Sequence, residues 1–346
     1  MRVLILGGSG FIGSHVVRQL AINGHEVIVA HRGHSAIESG ERISELIFGR
    51  DKISEFGAQI RKIAPDVVVD MIPKTAQDFW SLLRVVAGVS RRLIVVSSVD
   101  VYRAYNRLRK AEPGAPDPVP LKEDAPLRER LYPYRGNAVD ALHTAYEYEK
   151  ILVERLALAE PDLFCTILRL PVVYGPKDPQ YRIFDYLKRM DDKRSAIILG
   201  KQQAQWRVTR GYVEDVAAAV ALASQDGRTG NHIYNVGEPE AVPELEWLKL
   251  LAEAAEWDGE IVTLEDEALP EHLFQGYDWR QHLTMDSDRL RQELSWKEVV
   301  DRKTALKETI AWQRQHPQED IDPEKFNYKA EDEALVSQKR PALSKS

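Results

Sequence analysis

Cysteine is nearly missing from this chain: its 346 residues contain one, Cys165. No internal disulfide framework is therefore available, and a reducing compartment suits the protein. Cys165 lies inside the apolar run Leu163 to Leu170, where a small buried side chain is the expected role rather than a nucleophile. Long hydrophobic runs are missing too. No window approaches the roughly 18 continuous apolar residues of a membrane span. The N-terminus passes from the strand-like Val3-Leu4-Ile5-Leu6 straight into glycines, unlike a signal peptide, so cytoplasmic residence is expected. The net charge of −7 is only a modest excess of one sign and speaks against nucleic acid or anionic membrane as the main partner. No internal repeat or low-complexity tract occurs. What is present is an apolar share of 44%, enough for a sizeable core in one large α/β unit or two smaller domains.

The first hundred residues alternate between short β-branched runs and helical stretches. Val3–Leu6, Glu26–Ala30, Asp66–Asp70 and Leu93–Ser97 read as buried parallel strands, being short and without polar alternation. Phe11 to Ile22 reads as a helix stopped by Asn23-Gly24, and Gln77 to Val86 as a crossover helix. This order implies an α/β fold with a doubly wound parallel sheet. From Arg103 to Asn137 six prolines (Pro113, Pro116, Pro118, Pro120, Pro126, Pro133) stand among charges, which predicts a long surface loop. The pattern then predicts a helix from about Ala141 to Ala159. Strands are expected at Phe164–Arg169, Ala196–Leu199 and Ile233–Val236. Helices are expected near Arg182–Met190, Glu214–Ala223 and Glu244–Ala255. The charged stretch after about residue 318 lacks apolar periodicity and reads as a loosely ordered tail.

Gly7-Gly8-Ser9-Gly10-Phe11-Ile12-Gly13 follows the first strand and opens the first helix. A pyrophosphate needs a tight turn, backbone N–H groups with no Cβ in the way, and the positive end of a helix. Gly7 and Gly10 suit the turn and close approach, and Gly13 suits tight helix–sheet packing. This predicts a dinucleotide site. The second strand ends in Ala30-His31-Arg32-Gly33-His34, without the acid that an NAD-preferring site places on the ribose hydroxyls. Arg32 is matched to a 2′-phosphate, tilting the cofactor toward NADP over NAD; a solvated loop arginine is the plainer reading. His31 and His34 lack the partners of a metal site, so no metal is expected.

Tyr146 and Lys150 stand four apart on a predicted helix and would share one face. An ammonium beside a phenol lowers its pKa and suits it to acid–base work. The fourth strand runs into Ser97-Ser98-Val99-Asp100-Val101-Tyr102, at the strand ends where open α/β sheets gather their active groups. Ser98 there is placed to hydrogen-bond the oxygen that exchanges its proton with Tyr146.

Six motifs in order carry a family resemblance: Gly7-x-x-Gly10-x-x-Gly13; Ser97-Ser98-x-x-Val101-Tyr102; Tyr146-x-x-x-Lys150 with Glu154; Leu168-Arg169-Leu170-Pro171-x-x-Tyr174-Gly175-Pro176; Tyr212-Val213-Glu214-Asp215-Val216; and Tyr234-Asn235-Val236-Gly237. Over about residues 1 to 315 the chain resembles the extended short-chain dehydrogenase/reductase superfamily, in its NAD-dependent epimerase/dehydratase group. The resemblance implies a Rossmann domain over 1–180, with 205–240 returning to it. A smaller α/β substrate domain would be built from 181–204 and 241–317. It implies an enzyme moving hydride to or from a hydroxyl or ketone carbon, plausibly of a sugar nucleotide. Ser98, Tyr146 and Lys150 would be catalytic, with Lys150 also on the nicotinamide ribose. Ser97, Pro171 and Val173 would line the cofactor beside the glycine turn, His31 and Arg32. Asp100 and Tyr174 would meet the substrate. A homodimer is also implied. Arg207 and Arg210, beside Trp206, read separately as a clamp for an anionic group such as a sugar-nucleotide phosphate, with a plain surface cluster as the equal alternative.

Departures are visible. Serine and tyrosine are 48 positions apart (146 − 98), about twice the family's usual spacing. Tyr132 and Tyr134 compete for the phenol's role but have no lysine four residues on. No asparagine occurs between Gly24 and Tyr105. Val99-Asp100 follows the motif serine where dehydratases of the group carry Asp-Glu, which weakens a dehydratase reading. Met71-Ile72-Pro73 stands where relatives place small residues near the cofactor. A function of another class, a non-catalytic dinucleotide-binding regulator or an RNA-associated protein, is the alternative on the same fold.

Overall fold

The computed structural model describes residues 1–33, 40–135 and 145–339. Eleven strands are seen among them: β1 (Arg2–Leu6), β2 (Glu26–His31), β3 (Ile43–Ile47), β4 (Val67–Asp70), β5 (Arg92–Ser98), β6 (Phe164–Leu170), β7 (Val172–Tyr174), β8 (Ala196–Gly200), β9 (Arg210–Tyr212), β10 (His232–Asn235) and β11 (Glu260–Leu264). The helices described are α1 (Phe11–Ile22), α2 (Gly57–Ile63), α3 (Ala76–Val86), α4 (Arg103–Leu108), α5 (Lys150–Ala159), α6 (Phe184–Asp191), α7 (Lys201–Gln205), α8 (Val213–Gln225), α9 (Glu244–Ala255), α10 (Asp288–Leu294), α11 (Arg302–Gln315) and α12 (Tyr328–Lys339).

Seven strands form one parallel sheet in the order β10-β6-β5-β4-β1-β2-β3. Its central strands are apolar along most of their length because helices cover both faces, with Asp70, Ser97 and Ser98 at the C-terminal ends of β4 and β5. In β1, Val3 and Ile5 enter one core, while Leu4 and Leu6 enter the other. Successive side chains of a strand point to opposite sides, so an unbroken apolar run is what a two-faced sheet requires. The first core receives α1 and α8; the second receives α3 and α5. β8 pairs with β11, and β7 with β9, in two small parallel sheets apart from the main one.

The expected doubly wound sheet is therefore present, and several elements without a clear sequence signal join it. β3, with the mixed sequence Ile43-Ser44-Glu45-Leu46-Ile47, extends one edge because β2 offers it a partner. The predicted loop from Arg103 opens with α4 and is pinned by ion pairs. The helix predicted from Ala141 starts later. Residues 141–144 lie outside the described ones, 145–147 form a turn, and α5 begins at Lys150. The cause is local: Glu149 caps that helix, taking the Ile151 N–H at 2.8 Å with extended backbone. The tail expectation is also corrected. Helix α12 occupies 328–339, and Glu331 is fully buried on Arg189 at 2.6 Å. Ion pairs rather than an apolar stripe hold that helix, so periodicity did not reveal it.

Candidate active site

The dinucleotide side is built by the turn between β1 and α1. Gly7 has φ +82°, open to glycine at little cost. A Cβ on Gly13 would sit 2.2 Å from the Gly7 carbonyl oxygen, so the helix and turn close on each other only with glycine there. Gly10 precedes α1 with no side-chain cap, and no acid occupies the first turn. The leading N–H groups are thus left for an anion. Beside this turn opens a cleft of about 490 Å³ lined by Gly7, Ser9, Gly10, His31, Arg32 and Arg50, among others. Gly8 packs inward, where a Cβ would meet Val29 at 2.7 Å, and Phe11 and Ile12 lie against the core. These residues fit a dinucleotide: space, a Cβ-free turn and an open helix end coincide.

The far end of the cleft holds charges that sequence reading did not join. His31 donates from Nε2 to Glu45 on β3 at 3.0 Å and accepts the Gly33 N–H on Nδ1. An acid thus does reach the end of β2, brought by the neighbouring strand. Arg50 makes a two-point pair with Asp70 at 2.6 and 2.5 Å. Arg32 is exposed and makes no ion pair among the described residues.

Lys74, which lines the cleft, accepts the Glu149 N–H on its carbonyl at 2.9 Å. The next residue, Lys150, is buried with Nζ on the Val96 carbonyl at 2.8 Å. Burial pulls its pKa down to about 8, against the attraction of Asp70 and Asp100. At the end of β5, Ser98 takes the Asp100 N–H at 3.3 Å and lies near enough to the Tyr148 phenol to favour its ionised form. Tyr148 donates to Asp100 Oδ2 at 2.8 Å, and Lys150 lies 5.7 Å from its ring centre. The phenol beside Ser98 and Lys150 is therefore Tyr148. Tyr146 lies in the preceding turn, its ring under the Arg135 guanidinium at 4.9 Å. The shared helix face expected for Tyr146 and Lys150 does not form, because the Glu149 cap places the helix start after both tyrosines. At Tyr148, burial and the Asp100 charge push the phenol pKa well above the ordinary value.

Other expected site residues lie apart from this centre. Ser97 donates to Glu154 at 2.5 Å inside a buried cluster with Arg169, which absorbs it structurally. Tyr174 is buried against Trp247 with its hydroxyl on Glu238, so it does not reach the cleft. Val173 joins the same core, and Pro171 leads out of β6 beside Gly211 and Gly237. Arg207 binds the Ala241 carbonyl at 2.8 Å. Arg210 pairs with Glu244 at 2.5 Å over the Trp247 ring, and Glu244 lines a second cleft of about 420 Å³. Trp206, Tyr277, Trp279 and Arg182 also line that cleft, and Arg182 makes no ion pair among the described residues. Sequence reading passed over Arg182, Tyr148 and Arg128. The last is fully buried on Glu149 at 3.1 Å, and only the long connection's path brings them together.

Fold, glycine turn and cleft define the class: a Rossmann-type dinucleotide-binding enzyme. The model of the NAD dependent epimerase/dehydratase family matches residues 3–237, and the chain belongs to that family. Similar proteins include a UDP-N-acetyl-alpha-D-glucosaminuronate decarboxylase from Bacillus cytotoxicus, 25% identical over 91% of this chain and 98% of the relative. A 2'-dehydrokanamycin reductase from Streptomyces kanamyceticus is 38% identical, but over 29% of this chain and 28% of the reductase. Among solved structures, MoeE5 in complex with UDP-glucuronic acid and NAD superimposes with a TM-score of 0.66 at 21% identity, over 91% of this chain and 100% of MoeE5. Among the described residues no helix is long and apolar enough to cross a membrane.

Proposed function

We propose that the enzyme carries out NAD(P)-dependent hydride transfer at a hydroxyl or ketone carbon of a nucleotide sugar. The observation that carries this reading is the meeting of Ser98, Tyr148, Lys150 and Asp100 at the end of β5, joined through Lys74 and Glu149 to the glycine-lined cleft. A bound nicotinamide dinucleotide supplies or accepts the hydride. Ser98 holds the reacting oxygen. Tyr148, kept protonated by burial and Asp100, gives its proton to a carbonyl oxygen as the carbon becomes an alcohol carbon; the reverse step returns it. Lys150 steadies the resulting phenolate with its nearby charge and orients the cofactor ribose. The aromatic cleft with Arg182 and Arg210 behind it serves the nucleotide side, in the part built from 181–204 and 241–317. The nucleotide-sugar class is supported by the substrates named for the decarboxylase and MoeE5.

NADP is placed slightly ahead of NAD, since Arg32 makes no ion pair among the described residues and is suited to a 2′-phosphate; NAD bound to MoeE5 and the nearby Glu45 support the other choice. A homodimer accords with half-exposed Trp80 on α3 and Leu158 on α5, helices that pack together. The four-residue spacing supports a second reading for the phenol: one more helical turn before Lys150 would bring Tyr146 onto its face. Parallel Tyr146→Phe and Tyr148→Phe variants, assayed with a panel of UDP-sugars and both cofactors, separate the two. The structure-based reading expects Tyr148→Phe to lose about 10²- to 10⁴-fold in turnover with cofactor binding intact. Loss confined to Tyr146→Phe would transfer the role to that residue. Full activity in both variants would remove tyrosine acid–base chemistry from the account.

A further inference from the structure

Behind Tyr148 stands a chain of hydroxyls that the reaction as described does not use, and it comes from the long connection between β5 and α5. Tyr148 and Tyr134 both donate to Asp100 Oδ2, at 2.8 and 3.2 Å. Tyr105 donates to the Tyr134 oxygen at 3.3 Å, and Arg109 donates to the Tyr105 oxygen at 3.1 Å. The Tyr134 and Tyr148 rings meet edge to face at 5.3 Å. Asp100 is 4% exposed, and its other oxygen, Oδ1, is buried with no hydrogen-bond partner among the described residues. A carboxylate serving only as a brace would have both oxygens satisfied, because an unpaired buried acceptor is costly.

We propose that Asp100, Tyr134 and Tyr105 form a proton relay between Tyr148 and the surface at Arg109, resting on the reading that Tyr148 is the acting phenol. When Tyr148 gives its proton to the substrate oxygen, the Asp100 carboxylate takes the Tyr134 hydroxyl proton on Oδ2 and passes it to the Tyr148 phenolate, returning to its anion. Tyr134 then takes the Tyr105 proton, and Tyr105 takes one from a water or buffer acid beside Arg109. One proton enters from solvent and one ends on the substrate oxygen; oxidation runs the same hops outward. The charges facing Asp100 fit the task. Arg128, from the long connection, and Lys150, from α5, attract its anion, whereas burial raises its pKa above the ordinary carboxyl value. Glu149 offsets Arg128. Tyr134 and Tyr105 are held as neutral phenols by burial, the form that passes protons by hopping.

The test uses the full chain with NAD bound, ring-¹³C tyrosine labelling, and UDP-glucose as the substrate probe. In the labelled protein, Asp100→Asn should move the resonances of Tyr105, Tyr134 and Tyr148 together, and Tyr134→Phe should move that of Tyr148. Independent responses would overturn the relay whether or not UDP-glucose is turned over. In kinetics, Tyr134→Phe and Tyr105→Phe should each lower kcat about 10-fold with KM unchanged, and small buffer acids should restore much of it. A kcat within about twofold of the unmodified enzyme, with no response to buffer, would also overturn it. Full turnover in Tyr148→Phe would instead defeat the reading on which the relay rests, so the two failures are distinguishable.

Discussion

The glycine turn after β1 lines the cleft and the connection between β5 and α5 touches its rim through the Glu149–Lys74 hydrogen bond, yet the two are specified in different ways. The turn is a local device. Seven consecutive residues hold the positive φ, the close helix–turn contact and the open helix end, and the neighbouring strand adds the Ala30 carbonyl, which takes the Gly7 N–H at 3.2 Å. The connection is held by partners far apart in sequence. Arg128 joins Glu149 with both side chains fully buried, and its Nε also binds the Asp100 carbonyl. Arg103 and Arg107 converge on Asp117, whose N–H meets Gln281 at 2.6 Å. The lesson is that the shape of the glycine turn is set within a few adjacent residues, while the surroundings of Ser98 and Tyr148 depend on charge pairs that span the long connection.

The sharpest way to break this comparison is at Arg128. Arg128→Ala leaves the Glu149 charge buried without its partner and should cost about 3–5 kcal/mol of stability, read by urea unfolding. A loss under about 1 kcal/mol would mean the connection is not held as described. Next comes the pH response of Lys150. Its folded pKa of about 8 lies below the ordinary lysine value, so the unfolded chain binds more protons between the two values. Stability should therefore rise with pH across that window, the burial penalty being complete below about 8 and worth roughly 3 kcal/mol in all. Unfolding free energies of the unmodified protein and of Lys150→Met, compared at the two ends of the window, test the sign. The variant's relative advantage should shrink as pH rises.

On the cofactor side, Gly13→Ala should cost about 1–3 kcal/mol through overpacking, because the obstructing atom is a backbone oxygen that cannot swing away. The variant should also lose measurable dinucleotide binding by calorimetry; retained binding would show that the turn is softer than its geometry suggests. The smallest effect is expected at Arg32. Arg32→Ala should weaken NADP by about 10-fold, near 1.4 kcal/mol, and leave NAD almost untouched. Equal weakening of both would move Arg32 away from the 2′ position.

Legibility followed the same division. Strand β1, the turn, α1 and the motif serine were readable because strand period, turn chemistry and helix start agree within a few residues. The phenol was readable only as a spacing. Tyr146 and Tyr148 both precede Lys150, and which one meets Ser98 depends on where α5 begins. Glu149 decides that by capping the helix, and Arg128, 21 residues earlier, holds Glu149. Glu45 at the end of β2 and Glu331 under Arg189 escaped notice for a like reason: strand pairing and tertiary ion pairs brought them in, and neither leaves a periodic trace.

Composition and local pattern were enough to determine the α/β class, a dinucleotide turn at residue 7 and a strand ending at Ser98, since each of these rests on patterns within a few residues. The phenol that occupies the site, the route of the long connection and the order in the last helix were decided only in three dimensions. Their energy comes from buried charges and hydroxyls whose partners lie tens to more than a hundred residues away, and such pairings have no signature until the chain is folded.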